Sequence, residues 1–259
     1  MRLELHLIHI YPRLLNLYGD RGNIITLSQR CAWRGISLQV HEVGLGDPLP
    51  ECPADLVFIG GDQDREQTVV ARDLRHRHAT AIRDCVELGT VLLAVCGGYQ
   101  LLQRYYRTAA GAELEGIGLF NAYTIHPGAG TPRCVGNIVV EVQRGTIVGF
   151  ENHGGRTYLE GATRPLGRVV LGHGNNGQDG FEGARVANAF GTYVHGSLLP
   201  KNPDFADELL TLALQRRYPG YQLAPLDDSL ERLAHRTAMA RARVVKIPKS
   251  VAAASPETA

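Results

Sequence analysis

Apolar positions along the chain follow two rhythms. Residues 3–10, LELHLIHI, alternate as a half-buried strand does. A turn-rich YGDRGN follows at 18–23, after which Ile24, Leu27 and Cys31 recur at helical spacing within 23–34. ISLQVHEV at 36–43 and DLVFI at 55–59 read as two more strands, with GGDQDREQ at 60–67 as a loop. The pattern then predicts a long helix over 66–88, closed by Gly89 as its C-cap. VLLAV at 91–95 is a short continuous apolar run, the mark of a strand buried on both faces. Strands and helices alternating at this spacing predict parallel βαβ units in a doubly wound α/β sheet.

The middle of the chain changes character. Segments 135–142, 146–151, 168–172 and 185–194 are strand-like and separated by glycine-rich turns, which predicts a smaller antiparallel or mixed sheet. Helices return at 203–217 and 226–242. The second of these carries Leu226, Leu230, Leu233 and Thr237 on one face, to be docked either on this domain or on a partner. From Pro248 onward the residues are small and polar and read as a frayed tail.

Composition sets limits on this picture. A chain of 259 residues makes one large domain, or one domain with an appended piece. With 44% hydrophobic and 20% charged residues it is neither disordered nor fibrous. A net charge of +1 supplies no bulk attraction to nucleic acid, although Arg241, Arg243, Lys246 and Lys249 lie close together. No run approaches the roughly 18 apolar residues of a membrane span. Glu4, His6 and His9 interrupt the first strand, so it is not the core of a signal peptide, and a cytoplasmic location is expected. The five cysteines form no CxxC pair, so neither a zinc ribbon nor a redox pair is indicated, and no metal is expected. Cys31 and Cys85 read as core side chains. No Gly-Lys pair occurs, so a phosphate-binding P-loop is absent.

Cys96 is different. In VLLAV-Cys96-Gly97-Gly98-Tyr99-Gln100 it stands between a buried strand and a predicted helix, the layout of a nucleophile elbow. A helix N-terminus favours thiolate, and the Gly97 amide can face an oxyanion above sulfur. The blander alternative is a core cysteine beside two strand-ending glycines. Gly60-Gly61 also follows a buried strand and could bring a second N–H to the same place, or simply turn the chain. A thiolate needs a base. His6 and His9 lie on a strand and read as structural, while His76 and His78 lie in an arginine-rich helix and read as solvated. His126, His153, His173 and His195 remain. His195 closes the strand-like RVANAFGTYVHG, which puts it at a strand end, and His153 in FENHGG competes with it or lines the pocket.

CGGYQ at 96–100 together with TYVHG at 192–196 resembles class I glutamine amidotransferases of the cobyric-acid-synthase type. NLYGDRGNI, GGDQDREQ, CGGYQLL, GFENHGGRTYL and GTYVHG together look like the glutaminase subunits of lipid II isoglutaminyl synthases, from about residue 3 to 220. The resemblance implies a flavodoxin-like class I glutamine amidotransferase fold over 1–222, a mostly parallel sheet flanked by helices plus a smaller antiparallel sheet. A helical extension at 223–247 and the tail at 248–259 would follow. It implies Cys96 as nucleophile, His195 as base, Gly61 and Gly97 as oxyanion donors, and Gln100 lining the glutamine pocket. Arg133 would hold the substrate, gripping its α-carboxylate with a guanidinium fork. It also implies a Mur-ligase-like synthetase partner that carries ATP and Mg and reaches lipid II, with no cofactor in this chain. Many class I glutaminases carry a glutamate two residues after the histidine, where this chain has Ser197. Asp20 is the candidate replacement, or else a cap for the first helix. Two other readings stay open: amidation of a cobyrinate-type acceptor, and a non-catalytic regulatory subunit of the same fold.

Overall fold

The computed structural model describes residues 3–244, apart from 17–18, 52, 62–63 and 196. The expected tail at 248–259 lies outside the described residues, as do Lys246 and Lys249 of the basic cluster.

Six strands form the central sheet: β1 (Glu4–Ile10), β2 (Ser37–Val43), β3 (Leu56–Ile59), β4 (Val91–Val95), β13 (Ala184–Val186) and β14 (Ala189–Thr192). Their order is β13-β14-β4-β3-β1-β2, with all pairs parallel except the β13–β14 hairpin. Every residue of β3, β4 and β14 is buried, as continuous apolar strands of a doubly covered sheet must be. Helix α1 (Arg21–Ala32) follows β1 and lies where the apolar spacing put it.

The long helix of the sequence pattern is two helices, α2 (Asp64–Asp73) and α3 (Ala79–Glu87), joined by a π-helical turn at Leu74–His78. Val70, Leu74, His78, Ile82 and Val86 are all buried at a constant spacing of four. A 3.6-residue repeat would rotate such a stripe off the core, and the wider i→i+5 turn takes up the difference. His78 is therefore buried at the foot of this stripe rather than solvated, and burial pushes its imidazole below its usual range.

The segment 185–194 is not one strand of the middle sheet. It breaks at Ala187, whose φ is 49°, into the β13–β14 hairpin, and β14 enters the central sheet beside β4. In place of one smaller sheet there are two. β10 (Arg156–Leu159), β7 (Ala122–Ile125), β5 (Tyr105–Arg107) and β6 (Glu113–Glu115) form one; β12 (Phe181–Glu182), β11 (Gly167–Leu171), β8 (Cys134–Val142) and β9 (Gly145–His153) form the other. The first was not visible as alternation, because its strands are three or four residues long.

Helix α5 (Pro203–Arg217) packs on the central sheet, and α6 (Ser229–Val244) closes the chain. Arg30 of α1 is 1% exposed and pairs with both Asp207 of α5 and Asp228 at the foot of α6, each at 2.7 Å. Helix α6 is seated on this domain: Ala238, Met239 and Ala242 meet Val139 and Val148 of the β8–β9 ribbon. Leu230 and Leu233 face outward.

Candidate active site

The chain leaves β4 by a sharp turn. Cys96 has φ 49° and ψ −107°, a strained conformation for a residue with a Cβ, held by the elements on either side. A Cβ on Gly98 would lie 2.6 Å from the Gly60 carbonyl oxygen, so only glycine lets the elbow pass β3; the Gly98 N–H instead donates to that oxygen at 3.1 Å. The helix beyond, α4 (Gly97–Leu101), has five residues, which leaves little of the expected helix dipole. The Gly97 amide opens it, in the position where a helix has no internal partner for its N–H groups.

β14 brings the second group. Its register pairs Thr192 with Val95, and the Cys96 N–H donates to the Thr192 carbonyl at 2.8 Å. Gly191 lets the Tyr99 ring of α4 lie flat on the strand, since a Cβ there would meet that ring at 2.1 Å. Three residues beyond Thr192, His195 is fully buried, and its N–H donates to the Phe150 carbonyl of β9 at 2.7 Å. A methyl group placed on Gly61 would sit 3.0 Å from both Cys96 Cβ and His195 Cε1, so the two side chains converge on one point. Of the four candidate histidines, this is the one set against the thiol. Burial pulls the His195 imidazole down, but Cys96 and Asp20 outweigh it and hold it up at about 10.

Asp20 stands at the same place, from the first βα turn. It makes no side-chain cap to α1. Its Oδ1 lies 3.9 Å from His195 Nδ1, and its Oδ2 accepts the Gly61 N–H at 2.7 Å. Of the two roles open in the sequence, the geometry has the carboxylate facing the histidine. It also commits the Gly61 amide, expected as an oxyanion donor, to Asp20. Ser197 donates to the Gly19 carbonyl at 2.9 Å and so ties the histidine loop to the turn bearing Asp20.

Gln100 is buried one turn past the nucleophile, with both amide ends engaged. Its carbonyl accepts Gln67 Nε2 at 2.9 Å, and its Nε2 donates to the Tyr193 hydroxyl at 3.1 Å. It therefore ties α4 to Gln67 and to the residue that follows β14. His153 lies behind, stacked on Tyr193 with ring centroids 3.7 Å apart, and burial pushes it below the usual imidazole range. Its Nδ1 pairs with the Gly155 carbonyl at 2.8 Å. Arg133 is exposed and held to Asn152, with Nε donating to Oδ1 at 2.9 Å. It borders Gly154, next to Gly155, whose Cβ position is 3.1 Å from Gln100 Nε2.

Three residues that the sequence did not single out hold this arrangement. Tyr193 links β14 to Gln100, Thr124 and Thr157 through its hydroxyl. Glu151 and Glu182 are both 0% exposed. Glu151 accepts the N–H groups of His173 and Gly174, and Glu182 accepts that of Tyr193. No spacing rule marks them; a charged residue beside an apolar run is the only trace they leave.

Residues 6–203 match the CobB/CobQ-like glutamine amidotransferase domain. The chain is 42% identical to the lipid II isoglutaminyl synthase (glutamine-hydrolyzing) subunit GatD of Staphylococcus aureus, over 92% of this chain and 96% of that protein. It is 39% identical to the subunit of the same name from Streptococcus pneumoniae, over 88% and 87% of the two chains. A cobyric acid synthase of Pelotomaculum thermopropionicum is 34% identical over 58% of this chain but only 31% of its own length. Among solved structures, PurLQS of Thermotoga maritima superposes with a TM-score of 0.54 at 18% identity, covering 83% of this chain and 99% of that one, which speaks for the fold alone.

Proposed function

The chain belongs to the CobB/CobQ-like glutamine amidotransferase family, and from that premise we propose that it is the glutaminase subunit of a lipid II isoglutaminyl synthase. Its enzymatic class is that of a glutamine amidotransferase. The similarity to the isoglutaminyl synthase subunits runs nearly end to end in both partners, whereas the cobyric acid synthase is matched over a third of its length, which favours the former pathway.

In this reading, Cys96 Sγ attacks the side-chain amide carbon of glutamine. The oxyanion is received by the Gly97 N–H, and by that of Gly61 once Asp20 releases it; one such donor is worth about 3 kcal/mol. With Nδ1 of His195 toward Asp20, Nε2 is left to protonate the departing ammonia. A water deprotonated by the same nitrogen then cleaves the thioester, giving glutamate and restoring the thiol. A Cys–His ion pair needs its third group less than a serine enzyme does, which suits the 3.9 Å separation of Asp20 from the ring. Arg133 takes the α-carboxylate. Ammonia freed into water at neutral pH would become ammonium, so it passes to a Mur-ligase-like partner. That partner holds ATP and Mg and amidates the D-glutamate of the lipid II stem peptide.

The observation that carries this is the convergence of Cys96 and His195 on the Gly61 position. Glutamate release from glutamine, measured with the co-purified synthetase, tests it: the wild-type complex is active and C96A is not. An inert wild-type complex, or an active C96A, overturns the reading. Identifying the ligase that co-purifies from the source cell decides the acceptor.

A further inference from the structure

Regular sheet pairing stops at Thr192, three residues short of the catalytic histidine. Each of the three backbone N–H groups that follow needs a partner, because all are buried. That of His195 finds the Phe150 carbonyl. The Val194 N–H donates to Thr192 Oγ1 at 3.0 Å, and the Tyr193 N–H donates to Glu182 Oε1 at 2.6 Å. Thr192 Oγ1 in turn lies 3.1 and 3.2 Å from the two oxygens of Glu182. The hydroxyl donates to the carboxyl and turns a lone pair to Val194. Two of the three partners thus trace back to one carboxyl on the short strand β12.

A carboxyl with no exposure is costly to bury, and nothing in the fold of β12 demands one: a neutral acceptor would satisfy the Tyr193 amide. Its surroundings suggest what it is kept for. The charged and titratable groups facing it are Glu151, Tyr193, Tyr99 and His195. Burial, with Glu151 adding to it, pushes Glu182 up to about 8, while His195 pulls the other way. The carboxyl therefore lies in the field of the imidazole and holds the peptide that leads to it.

We propose that Glu182 is a positioning residue of the glutaminase centre: by accepting the Tyr193 N–H and orienting the Thr192 hydroxyl, it sets the strand end from which His195 reaches Cys96, and once ionised it supports the imidazolium. This rests on the glutaminase reading given above. Its action runs through His195 and Tyr193; it does not touch substrate.

Two variants test it in the complex with the synthetase. E182A leaves the Tyr193 amide unpaired and frees the strand end; kcat for glutamate release falls about 100-fold, as for a misplacement of a catalytic group near 1 Å, with KM close to wild type. E182Q keeps the carbonyl for Tyr193 but removes the charge. Its kcat returns to within about 10-fold of wild type, while the alkaline limit of Cys96 reactivity moves to lower pH, because an imidazolium without its neighbouring anion gives up its proton sooner. That limit is read as the pH dependence of carboxymethylation at Cys96 by iodoacetate, an anion that the charged ring draws to the sulfur and the neutral ring does not, followed on the peptide by mass. A merely structural role would lower the unfolding midpoint and leave the limit where it is. Wild-type kcat in a folded E182A overturns the proposal; should E182A not fold, a wild-type alkylation profile in E182Q overturns it. Loss of glutamate release from the wild-type complex sinks the glutaminase reading instead, and the alkylation profile still decides the role of Glu182.

Discussion

The ends of β4 and β14 lie side by side in one sheet and are built by opposite means. β4 ends in an elbow whose shape is local: a positive φ at Cys96 and a glycine at 98 that lets the turn pass β3. β14 ends in extended chain held from far away, by Phe150 of β9 and Glu182 of β12. The nucleophile is placed by its own neighbours in sequence, the base by side chains and carbonyls that arrive from other sheets. Damage to the first should therefore be steep and local. Damage to the second should be graded, and should show itself first in the pH dependence.

The steepest test is C96A, which is expected to lower glutamate release by at least about 10⁴-fold against the wild-type complex while leaving the unfolding midpoint near wild type. Next comes the elbow itself. G98A drives a Cβ to within 2.6 Å of the Gly60 carbonyl oxygen and 2.7 Å of Ile59 Cγ2, so the backbone must shift. It is expected to cost about 1–3 kcal/mol in urea unfolding and most of the activity.

On the β14 side, D20N keeps an oxygen for the Gly61 N–H but loses the charge 3.9 Å from His195. Asp20 raises the His195 imidazole, so the variant should bring the alkaline limb of kcat/KM to lower pH, with a fall of about 10- to 100-fold in kcat/KM itself. A limb that stays in place would detach Asp20 from the base.

Glu182 gives a smaller effect on stability, with a definite sign. Its folded-state value of about 8 stands above the ordinary 4.5, so the folded protein holds this proton longer than the unfolded chain. The contribution is intact below pH 4.5 and is lost as pH climbs toward 8. The unfolding midpoint of E182Q relative to wild type should accordingly rise between those limits, as followed by thermal melts across pH. The smallest expected change is at the outer face of α6: L233S, at a residue 53% exposed, should move stability by less than about 0.5 kcal/mol in urea unfolding.

The same contrast explains what could be read from the sequence. β4 announces itself as five consecutive apolar residues followed by Cys-Gly-Gly, because its structure follows from its own residues. TYVHG marks His195 in the sequence, but its strand reads as part of the middle sheet and belongs to the central one. The turn at Ala187 carries no glycine, so the break was not visible, and the AFGT run was joined to its neighbours. Asp20 is visible as a carboxylate in a turn; only the fold shows that it does not cap α1 and stands 3.9 Å from His195. The commitment of Gln100 to Gln67 and Tyr193, and the π-helical turn that buries His78, depend on packing across the molecule and leave no period to detect. Glu182 is silent for the same reason. A glutamate in a two-residue strand looks like a surface residue until the hairpin folds over it.

The register of β14 against β4 has one more consequence. Val95 and Thr192 are adjacent in the sheet but nearly a hundred residues apart along the chain. Contacts of such long range form late, since the entropy of closing the loop is lost before they reward it. A ribosome delivering this chain exposes the elbow well before it releases the strand with the imidazole. For that interval the emerging polypeptide carries a thiol without its base, and hydrolytic power is switched on only when the sheet receives its last parallel member.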